Sequence, residues 1–136
     1  MITEMWALFA SVILGFVHIF AQALSMNAQR GVDYNVGPRD EAMPPLTGVA
    51  GRLSRALRNF LETFVLFVAA VVLAQLVNVH NGLILRGAWL YVVGRVVYLP
   101  LYAFGIPYIR SLAWGAASAG IGLILAGVFL GTMARA

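Results

Sequence analysis

Cysteine and lysine are both missing from this 136-residue chain, and charge of either sign is scarce. Without cysteine there is no disulfide, no zinc–thiolate site and no thiol nucleophile of the protein's own. Any sulfur chemistry needs a sulfur that arrives with a substrate. Without lysine, all nine cations are arginines, scattered along the chain rather than gathered in a solvated arm. The net charge of +4 therefore reflects how few acids there are and is not a nucleic-acid signature. Charged residues make up 10% of the chain and apolar types 62%, where a soluble domain carries about 25% charged residues. A soluble fold of this size cannot bury so much apolar surface. Lipid is the solvent that fits.

About 20 apolar residues, rising 1.5 Å each, cross a hydrocarbon core of about 30 Å. Four runs qualify, over residues 5–26, 53–79, 83–104 and 109–133. They are continuous rather than alternating, which selects helices over a β-barrel. The expected fold is a single all-α integral membrane domain, a bundle of four transmembrane helices. The opening M-I-T-E-M-W places Glu4 where a signal peptide has a basic region. The first run is therefore expected to be a transmembrane helix and not a cleaved leader. Residues 29–51 form the longest polar stretch and contain V-G-P-R-D-E-A-M-P-P-L-T-G, rich in helix breakers. Arg30, Arg39, Arg52, Arg55, Arg58 and Arg110 fall on the side of this loop, and Arg86 and Arg135 on the other. The positive-inside rule then puts the long loop in the cytoplasm and both termini outside, in the inner membrane if the chain is bacterial.

One acid resists this scheme. Glu62 lies where the second run turns into pure hydrocarbon, F-V-L-F-V-A-A-V-V-L-A. An ionisable group at membrane depth costs about 2.5–3.5 kcal/mol on insertion scales, so it is expected to have a partner and a role. Arg55, Asn59 and Glu62 are spaced i, i+4, i+7 and share one helical stripe, with Arg58 four residues before Glu62. A guanidinium, an amide and a carboxylate in line suit a ligand bearing both carboxylates and amines. The alternative is a structural ion pair. In the third run, Tyr91, Arg95, Tyr98 and Tyr102 again form one stripe. Arg95 must face protein or water, which carries the tyrosines inward and makes Arg95 to Glu62 the expected internal pair. Pro100 is expected to kink this helix. His18 and Gln22 share a face of the first run and could bond neighbouring helices, but one spanning histidine makes no metal or haem site. The fourth run carries small residues at Gly115, Ala119, Gly120, Gly122, Gly127 and Gly131, a spacing that permits close helix packing.

The residues Arg55-Ala56-Leu57-Arg58-Asn59-Phe60-Leu61-Glu62, read as R-A-x-x-N-x-x-E at the start of the second of four spans, resemble the MAPEG superfamily. These are membrane-associated proteins of eicosanoid and glutathione metabolism. G-R-V-V-Y-L-P-L-Y, from Gly94 to Tyr102, is similar to the family's third helix with its paired tyrosines. P-P-L-T-G and G-I-P-Y-I-R-S look most like the bacterial branch. The chain departs from the animal synthases at Leu57, where they carry glutamine, and at Thr63, where they often carry an aromatic residue.

The resemblance implies a homotrimer of four-helix bundles, with glutathione as co-substrate held between subunits near the cytoplasmic face. On it, Arg55, Asn59 and Glu62 bind the charged ends of the peptide, Tyr98 and Tyr102 add contacts from the third helix, and Arg95 joins this set. Arg30 matches an arginine thought to activate the thiol, and Arg110 matches a further arginine of the site. A thiol becomes a better nucleophile when a nearby cation stabilises its thiolate. The implied partners are a second and third copy of the chain, membrane lipids and a small lipophilic substrate, with no nucleic acid and no metal. The expected function is that of a membrane glutathione transferase or peroxidase acting on lipophilic electrophiles. The competing readings are a non-catalytic scaffold or binding protein of the same fold and, from another class, a small four-span transporter.

Overall fold

The computed structural model describes residues 3–136, and among them the regular structure is entirely helical. The helices are α1 (Thr3–Arg30), the short α2 (Val32–Val36), α3 (Gly48–Leu76), α4 (Gly82–Ala103) and α5 (Ile109–Met133). The four long ones are each long and apolar enough to cross a membrane. Their outer faces are as apolar as a core. Along α1 alone, Phe9, Ile13, Phe16, Val17 and Phe20 are exposed, a face that water would penalise and hydrocarbon accepts. The chain is a multi-pass integral membrane protein.

The helices overrun the apolar runs of the sequence at the polar-loop end. α1 continues to Arg30 and α3 begins at Gly48, five residues ahead of the expected start at 53. Hydropathy marks where hydrocarbon ends, whereas a helix ends where its hydrogen bonds do. The loop accordingly narrows to residues 31–47 and holds α2. Its base is fastened by the Gln29 amide, which meets both the side chain and the backbone of Thr47: Gln29 Nε2 donates to Thr47 Oγ1 at 2.8 Å, and Gln29 Oε1 accepts from Thr47 N at 3.2 Å. Asn35 Nδ2 donates to Asn27 Oδ1 at 2.6 Å, which folds α2 back on the end of α1.

α4 and α5 pack closest, because glycines remove side chains from the seam. A Cβ on Gly120 would stand 2.5 Å from the Gly87 carbonyl and 2.8 Å from Tyr91 N, and one on Gly94 would stand 2.9 Å from the Ala113 carbonyl. Of the small residues on α5, Gly120 and Gly127 serve this contact, while Gly115 and Gly122 face open space. Asn81 fixes the start of α4. Its Oδ1 accepts from Leu83 N and Ile84 N at 3.1 Å, the usual N-cap geometry, and its Nδ2 donates to the Gly127 carbonyl at 2.8 Å.

α4 runs on through Pro100 to Ala103. Proline falls in the last turn, where it forfeits only its own N–H bond to the Val96 carbonyl, and Arg52 Nε closes the end by donating to the otherwise free Ala103 carbonyl at 2.8 Å. The core is shared by all four long helices, and between α3 and α4 Phe67 stacks on Tyr91 with ring centroids 4.0 Å apart. His18 and Gln22 do not reach across to other helices as hydrogen-bond partners. His18 Nδ1 bonds the Leu14 carbonyl of its own helix at 2.9 Å and its ring stacks on Phe60, while Gln22 turns to Met26.

Candidate functional site

α3 and α4 meet around a buried guanidinium. Arg95 is fully buried on α4. Its Nη1 donates to Asn59 Oδ1 at 2.8 Å, and its Nη2 to Thr63 Oγ1 and, at 3.5 Å, to the Asn59 carbonyl. The guanidinium carbon lies 5.8 Å from the Tyr91 ring centroid and 5.1 Å from that of Tyr98, within cation–π range of both. The inward stripe of the third span is therefore real, with Tyr91, Arg95 and Tyr98 all buried.

The expected Arg95–Glu62 pair does not form. Among the described residues the one ion pair within 4.0 Å joins His80 to Glu4. The reason is angular. Asn59 and Thr63, four residues apart, stand on the face of α3 that meets α4, while Glu62 is rotated away and exposed. Arg58, four residues before Glu62, makes no ion pair with it either. Nor is Glu62 the carboxylate buried in the bundle; that is Glu4, 4% exposed. Thr63 went unrecognised as a site-forming residue in the sequence, although its spacing from Asn59 was the available signal.

Two depressions open at this end of the bundle. One, of about 230 Å³, is lined by Asn59, Tyr98, Tyr102, Arg110, Ser111 and Trp114. Arg110 stands over the Tyr102 ring at 4.6 Å, and the Tyr98 and Tyr102 centroids are 5.4 Å apart. Arg95 stays beneath its floor, holding Asn59 and flanking Tyr98. The other, of about 320 Å³, is lined by Arg30, Leu46, Gly51, Ser54, Arg55 and Arg58. Arg30 is engaged there, donating to the Pro44 carbonyl at 2.6 Å and lying 5.5 Å from the Tyr34 ring centroid.

The early turns of α3 link the two. Arg55 and Arg58 face one depression, Asn59 the other, and Glu62 points outward a turn further on. Neither lining contains a carboxylate. The arrangement can therefore hold an anionic group with charge-assisted hydrogen bonds. The tyrosine hydroxyls and Ser111 add neutral donors and acceptors. Ser111 and Trp114 are lining residues that the sequence reading did not single out; Ser111 adjoins Arg110, and Trp114 follows it by one helical turn.

A search of curated proteins returns no match. The model of one protein family, described as the MAPEG family, matches residues 7–130, a span that contains all four long helices' apolar bodies and both depressions. The chain belongs to the MAPEG family.

Proposed function

We propose that the protein is a membrane-bound glutathione transferase or peroxidase, which binds glutathione between neighbouring copies of the chain in a homotrimer and delivers its sulfur to a lipophilic electrophile. Family membership supports a role in membrane glutathione or eicosanoid metabolism, and the specific activity is the step beyond it. The observation that carries the reading is the carboxylate-free pair of depressions bearing Arg30, Arg55, Arg58 and Arg110, with Glu62 exposed beside them and free of any ion pair among the described residues.

Glutathione has two carboxylates and one ammonium. The arginines match the former and Glu62 the latter, with Asn59, Tyr98 and Tyr102 bonding the peptide groups. Glu62 lies on the outward face of α3 followed by the exposed Val65, Ala69 and Val72. A neighbouring copy packed there would shield the carboxylate from lipid. The polar loop between α1 and α3 would then face the cytoplasm, where the thiol peptide is abundant.

In this reading an arginine lowers the cost of the thiolate, the thiol proton passes to water, and sulfur attacks the electrophilic carbon as the leaving group departs with its electron pair. Arg110, set over Tyr102 at the mouth of its depression, serves this role without breaking a protein hydrogen bond. Arg30 serves it only after releasing the Pro44 carbonyl. Calorimetry of the detergent-purified protein with millimolar glutathione, together with thiolate absorbance and turnover of a generic aryl halide, tests the proposal. Heat of binding and a thiolate band support it; no heat and no turnover refute it.

A further inference from the structure

Two buried side-chain nitrogens have no hydrogen-bond partner among the described residues, and their needs are opposite. One is Nε2 of His18, which is 1% exposed; the other is Nε of Arg95, which is 0% exposed. His18 ends the inward stripe of α1, where Ala7, Ser11 and Leu14 are buried at helical spacing before it. Arg95 belongs to the inward stripe of α4, after Ala88 and Tyr91. Glu4 meets His80 where α1 begins and α4 is about to begin. At 1.5 Å per residue His18 lies about 21 Å beyond Glu4, and Arg95 about 20 Å beyond Gly82. The two stand at one depth.

The same turn of α3 serves both. Phe60 stacks on the His18 ring with centroids 4.3 Å apart, and the adjacent Asn59 accepts from Arg95. Arg95 is near enough for its charge to act on the His18 ring. His18 Nδ1 lies 2.9 Å from the Leu14 carbonyl, which only accepts, so Nδ1 carries the hydrogen. In the neutral ring Nε2 is then a bare acceptor. Arg95 spends Nη1 and Nη2 on Asn59 and Thr63 and keeps its Nε–H as an unused donor. A donor and an acceptor sealed from solvent are costly while unpaired. No direct bond joins them. Water is the smallest group that accepts from one and donates to the other, and buried waters sit between otherwise unsatisfied polar groups.

We propose that His18 is a positioning residue of the candidate site: one buried water accepts from Arg95 Nε and donates to His18 Nε2. α1 is thereby tied to the guanidinium that holds Asn59 and flanks Tyr98, two residues that line a depression. The pairing is a property of the fold, and its effect on a ligand rests on the glutathione reading above.

The test uses the full chain in nanodiscs with ¹⁵N-labelled histidine and arginine. In the wild-type protein His18 should show Nδ1 protonated and Nε2 bare, with water contacts at both His18 Nε2 and Arg95 Nε. His18→Phe keeps a ring on Phe60 and removes the acceptor, whereas His18→Gln returns an acceptor oxygen near the place of Nε2. The Arg95 Nε signal should move in His18→Phe and return towards its wild-type position in His18→Gln. Glutathione affinity in calorimetry should fall at least about 3-fold in His18→Phe and recover to within about 2-fold of the parent in His18→Gln. A protonated Nε2, a bare Nε2 without the water contact, or an affinity indifferent to His18→Phe overturns the proposal. Equal losses in the two variants overturn it as well, because they mark packing alone. If the parent binds no glutathione, the functional reading falls and the nitrogen signals decide the pairing. Should His18→Phe fail to fold, the wild-type signals decide.

Discussion

Asn59 Oδ1 accepts from Arg95 Nη1 at 2.8 Å, so the buried guanidinium of the bundle is spent on an amide and a threonine and not on the carboxylate one turn away. The consequence is a division of labour along α3. Asn59 and Thr63 look inward and hold α4, while Arg55, Arg58 and Glu62 look outward and remain available to a ligand or a neighbouring copy.

Arg95, fully buried and bonded to Asn59 and Thr63, is expected to position the site rather than touch the ligand. Arg95→Lys offers a single ammonium where a planar fork served two side chains on α3. The variant is expected to lose about 1–3 kcal/mol of stability from an unsatisfied partner, read as a lower thermal midpoint in detergent. Glutathione affinity should fall with it, because Asn59 and Tyr98 lose their support. An unchanged midpoint would show that the bonds to Asn59 and Thr63 contribute nothing.

Glu62 presents the opposite profile. Glu62→Gln removes a charge that the fold of one chain does not use, so the midpoint of the dispersed protein should move little. Binding of glutathione should weaken at least about 10-fold, the equivalent of 1.4 kcal/mol, in calorimetry. Loss of the oligomer on a sizing column, with no ligand binding in the parent protein either, would favour the scaffold reading over the enzyme.

The α4–α5 seam depends on bare backbone. Gly120→Ala places a methyl 2.5 Å from the Gly87 carbonyl and 2.8 Å from Tyr91 N, where backbone has to move. A cost of about 1–3 kcal/mol is expected from overpacking. Gly122→Ala is the matched control: nothing lies within 4 Å of its Cβ, and the helix should be unchanged or gain up to about 1 kcal/mol. Midpoints of the two variants side by side check both statements.

Asn81 does two jobs with one amide. Asn81→Ala removes the cap on α4, at about 1 kcal/mol, and the tie to Gly127, at about another 1 kcal/mol. Asn81→Asp keeps the acceptor and loses the donor, so it should recover only part of the loss. Equal midpoints for the two variants would mean that the cap is without weight, and a parental midpoint in Asn81→Asp would mean the same of the Gly127 tie.

Composition and run length were sufficient for the architecture. With 62% apolar residues in four continuous runs, no soluble fold and no barrel could satisfy both the hydrophobic effect and the backbone, so a four-helix membrane bundle follows from the sequence alone. The periodicity of α4 was equally legible, because a charge within hydrocarbon has to turn inward and takes its tyrosine neighbours with it. The R-A-x-x-N-x-x-E motif carried the family. Partner choice was not legible. Spacing put Glu62 and Asn59 on one stripe, but 100° per residue lets adjacent members of a stripe face different neighbours, and only the packing of α3 against α4 decided that Arg95 takes Asn59 and Thr63. The burial of Glu4 was hidden for a related reason: an acid at a chain's start reads as solvated until the fold brings a turn 76 residues away against it. Local spacing sets which residues can share a face, and tertiary packing sets what that face meets.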